Sequence, residues 1–321
     1  MTKHLKQTLK GSALCLSVAL LSSCQDSECV NPQNDNLVMS VVASISALDE
    51  ASQSRYAGEE PNSVNFAETD SIGIFVDDLS PVKWTYMSSQ WQADDIVFWP
   101  DKTDEHVFCA FYPYTDGATL GSVTMPVLKQ QDGTIEGISA CDFLVAKTAQ
   151  RYGADGVVEF KGEGKSFEHM SSLLKLTFKG DADLQASTLD KVTVSGKDIV
   201  APSIYSFDTG EVTLSSDESS DLLDVALSHE MNGADATFYF IVNAKTDSSS
   251  PVTLTLEYTT GENSYVANLE NFAGNVFARG KQQSYTISVR DSYLIVSGSD
   301  ISPWGDGETL DNIIINGQEK E

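Results

Sequence analysis

VTLTLEYTTGENSYVANL, residues 252–269, alternates apolar and polar side chains, breaks at Gly261-Glu262-Asn263, and then resumes as a second short strand-like run. A period of two places Val252, Leu254, Leu256 and Tyr258 on one face of a strand, with the threonines and Glu257 on the other. The glycine-centred break reads as a tight turn, so the stretch predicts an antiparallel hairpin with one buried face and one wet face. Asp208-Thr209-Gly210 predicts a second turn between short strands.

The same kind of pattern recurs along the chain. Ser71–Val76, His106–Tyr112, Leu173–Phe178, Lys191–Val194, Thr237–Val242 and Ser284–Val289 are short runs rich in β-branched and aromatic residues. Leu37-Val38-Met39-Ser40-Val41-Val42-Ala43-Ser44-Ile45 is a further strand candidate between polar segments. Long amphipathic helical patterns are absent. Many short strands with Gly and Asp turns predict an all-β chain of antiparallel sandwiches. At roughly 100–200 residues per domain, 321 residues suggest two of them. Gly153, Gly156, Gly162 and Gly164 cluster where a boundary is expected, giving sandwiches over residues 37–160 and 161–321.

The N-terminus is a targeting segment. Lys3, Lys6 and Lys10 precede an apolar run, Ala13–Leu21, too short to span a bilayer as a helix. Leu21-Ser22-Ser23-Cys24 resembles the lipobox of bacterial lipoproteins. That resemblance implies cleavage between Ser23 and Cys24 after residues 1–23, with acyl chains such as palmitate on Cys24. Several chains give a stable anchor, at ~0.8 kcal/mol per buried methylene. Residues 24–36 then form a polar tether. Its acidic start, Gln25-Asp26-Ser27-Glu28, is similar to a signal that sends some outer-membrane lipoproteins to the cell's outer face.

Removing residues 1–23 takes away three lysines and no acid. The mature chain keeps 17 basic against 47 acidic residues, a net charge of −30. Such a chain repels nucleic-acid phosphates, so no nucleic-acid partner is expected. Cys29, Cys109 and Cys141 remain besides Cys24, an odd count that forms no disulfide framework. Cys109 and Cys141 either pair across strands or stay as buried thiols.

Catalytic signals are missing. The mature chain has His106, His169 and His229, far apart, and no HExxH, CxxC pair, GxSxG or phosphate-binding glycine loop. His169 reads as a hydrogen-bonded structural histidine. Asp217–Asp221 and Asp306-Gly307-Glu308 lack the ligand spacing of a calcium loop and read as solvated turns. No enzyme, metal or cofactor is expected. Trp84, Tyr86, Trp91 and Trp99 crowd one region, where such rings either stack on sugars or fill a core.

Several stretches, in order, resemble the fimbrillin (Mfa-like) family of lipoprotein pilins and adhesins. They are Asp70-Ser71-Ile72-Gly73-Ile74-Phe75, Trp84-Thr85-Tyr86, Phe98-Trp99-Pro100-Asp101, and Val107–Tyr114. Asp142-Phe143-Leu144-Val145-Ala146, Phe167–Leu176, and Tyr285–Val289 followed by Ile301-Ser302-Pro303-Trp304 continue the series. Cys109 departs from the pattern within the aromatic strand. The resemblance implies two transthyretin-like β-sandwich domains and a cell-surface fimbrial subunit or adhesin. In polymerising members a protease, often arginine-specific, cuts the loop after the first strand. The lost strand leaves a groove that a neighbour's terminal strand fills, a form of strand addition. Here Arg55-Tyr56 is either that cleavage point or an ordinary loop arginine. The strand to be exchanged would present Leu37, Met39, Val41, Ala43 and Ile45. The tail with Leu310, Ile313 and Ile315 is either a donor strand or the last strand of its own sheet. Expected partners are the outer membrane through the lipid, other fimbrial subunits, and a host or glycan ligand. A surface glycan-binding lipoprotein serving an outer-membrane polysaccharide transporter is the alternative from a different class.

Overall fold

The run Glu105–Tyr112 is apolar at nearly every position from Val107 onward, and the reason is burial on both faces. The computed structural model describes residues 37–46, 66–180, 187–231, 233–290, 293–299, 302–303 and 309–320. The N-terminal half contains β1 (Ser40–Ala43), β2 (Ser71–Val76), β3 (Val82–Met87), β4 (Gln90–Ala93), β5 (Glu105–Tyr112) and β6 (Val123–Thr124). A short helix, α1 (Ile135–Ser139), precedes β7 (Leu144–Arg151), β8 (Val157–Phe160) and β9 (Glu168–His169). Six of these form an antiparallel sheet in the order β4-β3-β2-β5-β7-β9.

One face of that sheet carries Ile72, Ile74, Val76, Phe108 and Ala110, which pack under Met39, Val41, Ile45, Val158 and Phe160. The other carries Phe75, Cys109 and Phe111, covered by Val123, Met125, Tyr205 and Phe207. Gly73 lies opposite Phe111 in the β2–β5 ladder. A Cβ at Gly73 would sit 2.3 Å from the fully buried Phe111 ring, so only glycine fits there.

The C-terminal half continues with β10 (Ser172–Lys179), β11 (Ser187–Gly196), β12 (Ser203–Ser206), β13 (Glu211–Leu214), β14 (Leu222–Met231), β15 (Ala236–Val242), β16 (Val252–Thr260) and β17 (Asn263–Leu269). It ends with β18 (Lys281–Arg290), β19 (Tyr293–Ser299), β20 (Ser302–Pro303), β21 (Thr309–Asn316) and β22 (Gln318–Glu319). The sheets β15-β10-β18-β19-β21 and β14-β11-β16-β17-β22 face one another across a large core. The predicted hairpin is β16–β17, with Thr260 opposite Asn263 and Gly261 at φ 64°. Val252, Leu254, Leu256 and Tyr258 are 0–2 % exposed. Burial of each such side chain is worth about 1.5–3 kcal/mol.

The fold is thus two β-sandwiches in tandem, predominantly antiparallel. Two pairings are parallel, β1 with β8 and β10 with β18. Both join strands far apart in sequence, as parallel pairing requires. The halves also trade elements. Leu128, Ile138 and Cys141 join the C-terminal core, while Tyr205 and Phe207 cover the N-terminal sheet. Buried Gln131 caps the edge of β15, donating from Nε2 to Ile241 O at 2.8 Å and accepting from Ile241 N at 2.7 Å.

The two cysteines are free and buried in different cores, so the paired alternative is ruled out. Burial pushes both thiols up to about 11. Trp84, Trp91 and Trp99 are core residues at 3 %, 7 % and 1 % exposure and offer no platform for a sugar. Gly73→Ala should lower the unfolding free energy by about 1–3 kcal/mol, because Phe111 has nowhere to move. A urea titration measures it, and an unchanged midpoint would refute the packing account.

Candidate assembly groove

Segment 37–46 alternates in structure as it does in sequence. Met39, Val41 and Ile45 are buried, and Leu37 and Ala43 are partly buried against the same core. All five of the residues expected on an exchangeable strand therefore share one inward face. Val38 and Val42 point outward and are exposed.

The segment is held by main-chain bonds to walls remote in sequence. At its start Trp99 N donates to Leu37 O at 2.8 Å, and Met39 N donates to Val97 O at 2.8 Å. Along its length β1 runs parallel to β8, from Ser40 opposite Val157 to Ala43 opposite Phe160. At its end Ser44 N donates to Phe160 O at 2.9 Å, Phe167 N to Ser44 O at 2.9 Å, and Ser46 N to Phe167 O at 2.7 Å. The floor is Ile72, Ile74, Trp84, Phe108 and Phe167.

Two residues shape the rim. The Trp99 indole donates to Gly156 O at 2.8 Å and ties the opposing walls together. Gly156 adopts φ 67°, and a Cβ there would lie 2.6 Å from Val38 O. The chain can pass this close only because the residue is glycine. On the opposite flank β1 is not paired with β4. A cavity of about 470 Å³ lies there, lined by residues of β1 together with Tyr86, Ser89, Gln90 and Trp91.

Beside the Trp99 wall sits a charged cluster that the sequence did not flag. His106 Nδ1 lies 2.7 Å from Asp77 Oδ2, and its Nε2 lies 3.5 Å from Asp101 Oδ2. Asp77 also accepts from Val107 N at 2.8 Å. The Asp104 and Thr103 amides hold the Asp101 carboxyl down at about 2. Burial pulls His106 toward the neutral form, but the bonds to Asp77 and the charge of both acids outweigh it and hold its pKa above the ordinary value. Asp77 sits at φ 49° in the turn after β2, and no sequence spacing joins it to Asp101 and His106.

The motif residues have local structural work. Asp70 accepts from Ala67 N at 2.8 Å and from the Tyr112 hydroxyl at 3.1 Å. Asp142, fully buried, lies 2.9 Å from Nδ1 of His169 and joins the start of β7 to β9. Asp217 accepts from Ser219 and Ser220 within its own turn. Among the described residues no group of three or more His, Cys, Asp or Glu side chains is placed to hold a metal.

The tail lies in the C-terminal sandwich. β21 pairs with β19, with Ile313 opposite Val296, and Ile315 packs on the core. β22 pairs with β17 in the other sheet, and Lys320 bonds Glu257 at 2.5 Å. Ser23, Cys24, Arg55, Tyr56 and Asp306–Glu308 lie outside the described residues.

A fimbrillin-like family model matches residues 58–304. The chain belongs to the fimbrillin-like family. This fimbrillin-like chain shares its fold with a crystal structure from Bacteroides uniformis described as a candidate cell adhesion protein. The two are 20 % identical with a TM-score of 0.58, over 85 % of this chain and 99 % of the other. A second candidate cell adhesion protein, from Bacteroides ovatus, is 16 % identical with a TM-score of 0.59, over 84 % and 99 %. A search of curated proteins returned no match. Membership of this family carries a fimbrial or adhesive role at the cell surface, and the family is one of structural rather than catalytic proteins.

The His106 cluster sets a pH dependence. Its raised pKa means that the paired form stabilises the fold fully below about 6.5, the unfolded value, and that the contribution fades as pH rises through the folded value. Melting followed from pH 6 to 9 should show stability falling by under about 1 kcal/mol in the native chain, because both acids are partly exposed. His106→Gln should flatten that slope, and an unaltered slope would exclude His106 as its source.

Proposed function

We propose that this fimbrillin-like protein is a surface lipoprotein anchored in the outer membrane through acylated Cys24, and that it joins other fimbrial subunits by strand exchange. The observation that carries the reading is the fit of segment 37–46. Its odd-numbered side chains fill a groove whose walls, residues 97–99 and 156–167, are remote in sequence. A strand so held can be replaced by any extended peptide with the same alternation. Cleavage after Arg55 would leave segment 37–46 joined to the body by no covalent link. Residues 37–160 and 161–321 are the two sandwich domains in this proposal. The tail is strapped to both sheets of its own sandwich, so donation would first cost its pairing with β19 and β17.

An arginine-specific protease acting on purified residues 25–321 tests the exchange. Selective cutting after Arg55, followed by heat-labile multimers on a non-boiled gel, is the expected result. A resistant Arg55 with a stable monomer would overturn it. Palmitate labelling of cells should be lost in Cys24→Ala, and labelling that persists would remove the anchor from the proposal.

A further inference from the structure

Strand β1 is paired along one side and open along part of the other. The main-chain groups of successive strand residues point alternately to the two sides. Ser40 N and Ser44 N donate to Gly156 O and Phe160 O on the β8 side, whereas Met39 N donates to Val97 O on the other. Val41 and Ala43 therefore turn their N–H and C=O groups away from β8, as Met39 does. The wall that serves Leu37 and Met39 ends at Val97, because residues 94–96 lead back to β4. Val41 and Ala43 have no main-chain partner on that side among the described residues. They line the cavity of about 470 Å³ shared with Tyr86, Ser89, Gln90 and Trp91. Across the cavity, β4 is itself the edge of its sheet. Tyr86 bonds Thr69 and Asp70 through its main chain, so Trp91, directly opposite it, turns its own N–H and C=O away from β3. Unpaired main-chain donors and acceptors at every second residue fit one kind of ligand, an extended peptide.

We infer that this edge binds a short extended peptide of a partner protein, of the pattern apolar–basic–apolar, while β1 stays in its groove. Strand exchange needs β1 to leave; this contact needs β1 in place. The register follows from the ladder already there. Segment 97–99 runs antiparallel to segment 37–39, with Val38 opposite Phe98. A peptide that continues this ladder places one residue opposite each of Val41, Val42 and Ala43. Those opposite Val41 and Ala43 each exchange two hydrogen bonds. Opposite residues of an antiparallel pair share a face. The two outer peptide residues thus point inward with Val41 and Ala43, toward the core that holds Tyr86 and Trp91, and there apolar side chains fit. The middle residue points outward with Val42, which is 44 % exposed. Beyond Val42, on β8, stands exposed Glu159. On the β4 side the Glu68 carboxylate accepts from Ser88 N at 3.1 Å and from Ser89 N at 3.3 Å. Exposed Asp94 and Asp95 follow β4, and no lysine or arginine is among the described residues that line the cavity. The charge around this edge is one-sided, and it selects a basic middle residue. A second copy of this chain is disfavoured, since each mature chain carries −30.

The test is fluorescence anisotropy of a labelled, end-blocked Thr-Val-Lys-Val-Thr peptide titrated with uncut residues 25–321. A saturable isotherm is expected. Glutamate in place of the peptide's lysine should weaken binding about fivefold at low salt. Ala43→Pro removes the outward N–H and no bond to β8, and should weaken binding about tenfold. Glu159→Lys, on the exposed face of β8, keeps the test valid if the proline variant fails to fold. It should reverse the preference toward the glutamate peptide. Absence of saturable binding, equal affinity for the two peptides, or affinity unchanged in the folded variants would overturn the inference. Amide hydrogen exchange locates the bound peptide. The Val41 and Ala43 amides should slow on binding, with those of Met39 and Ser40 as protected as before. Faster exchange at Met39 and Ser40 would mean that the peptide has displaced β1 and taken the groove. That result would overturn this inference and leave strand exchange standing.

Discussion

The N-terminal sheet is apolar on both faces, and every other arrangement in the molecule follows from the need to cover them. A sheet whose neighbouring central strands β2 and β5 are as apolar as these cannot leave either face in water. Its own chain supplies too little cover locally. One face therefore takes β1 and β8, and the other takes β6 and the β12–β13 hairpin. Both solutions use segments distant in sequence, and both tie parts of the chain that a linear reading would separate.

The first solution creates the groove. A strand that pairs in parallel with β8 and closes on residues 97–99 and 166–167 is bound through its main chain and its alternating side chains, and so by features any extended peptide can offer. The second solution makes the two sandwiches interdependent. Tyr205 and Phe207 close the N-terminal core while Leu128, Ile138 and Cys141 enter the C-terminal one, with Gln131 joined to the edge of β15. Pulling the halves apart would open both cores.

The motif residues that resemble the fimbrillin family acquire physical reasons here. Gly73 makes room for Phe111, Asp70 holds Tyr112, Asp142 pairs with His169, and Trp99 ties the groove walls through Gly156. They shape the frame around the groove and the first sheet, and their work is structural. That is why the sequence offered so little chemistry: its motif residues build the frame of the fold.

Alternation was legible from the sequence wherever one face of a strand is wet. The β16–β17 hairpin and the all-β class could be read from a period of two and a glycine turn. What faces what could not be read, because a period of two names the buried side without naming its partner. The parallel pairing of β1 with β8, the burial of three tryptophans, the separation of Cys109 from Cys141 and the Asp77–His106–Asp101 cluster each depend on contacts across tens of residues. Local side-chain pattern determines which residues seek burial. The packing of distant segments over a two-faced sheet decides where they find it, since loop closure over such distances is encoded in no single stretch of chain.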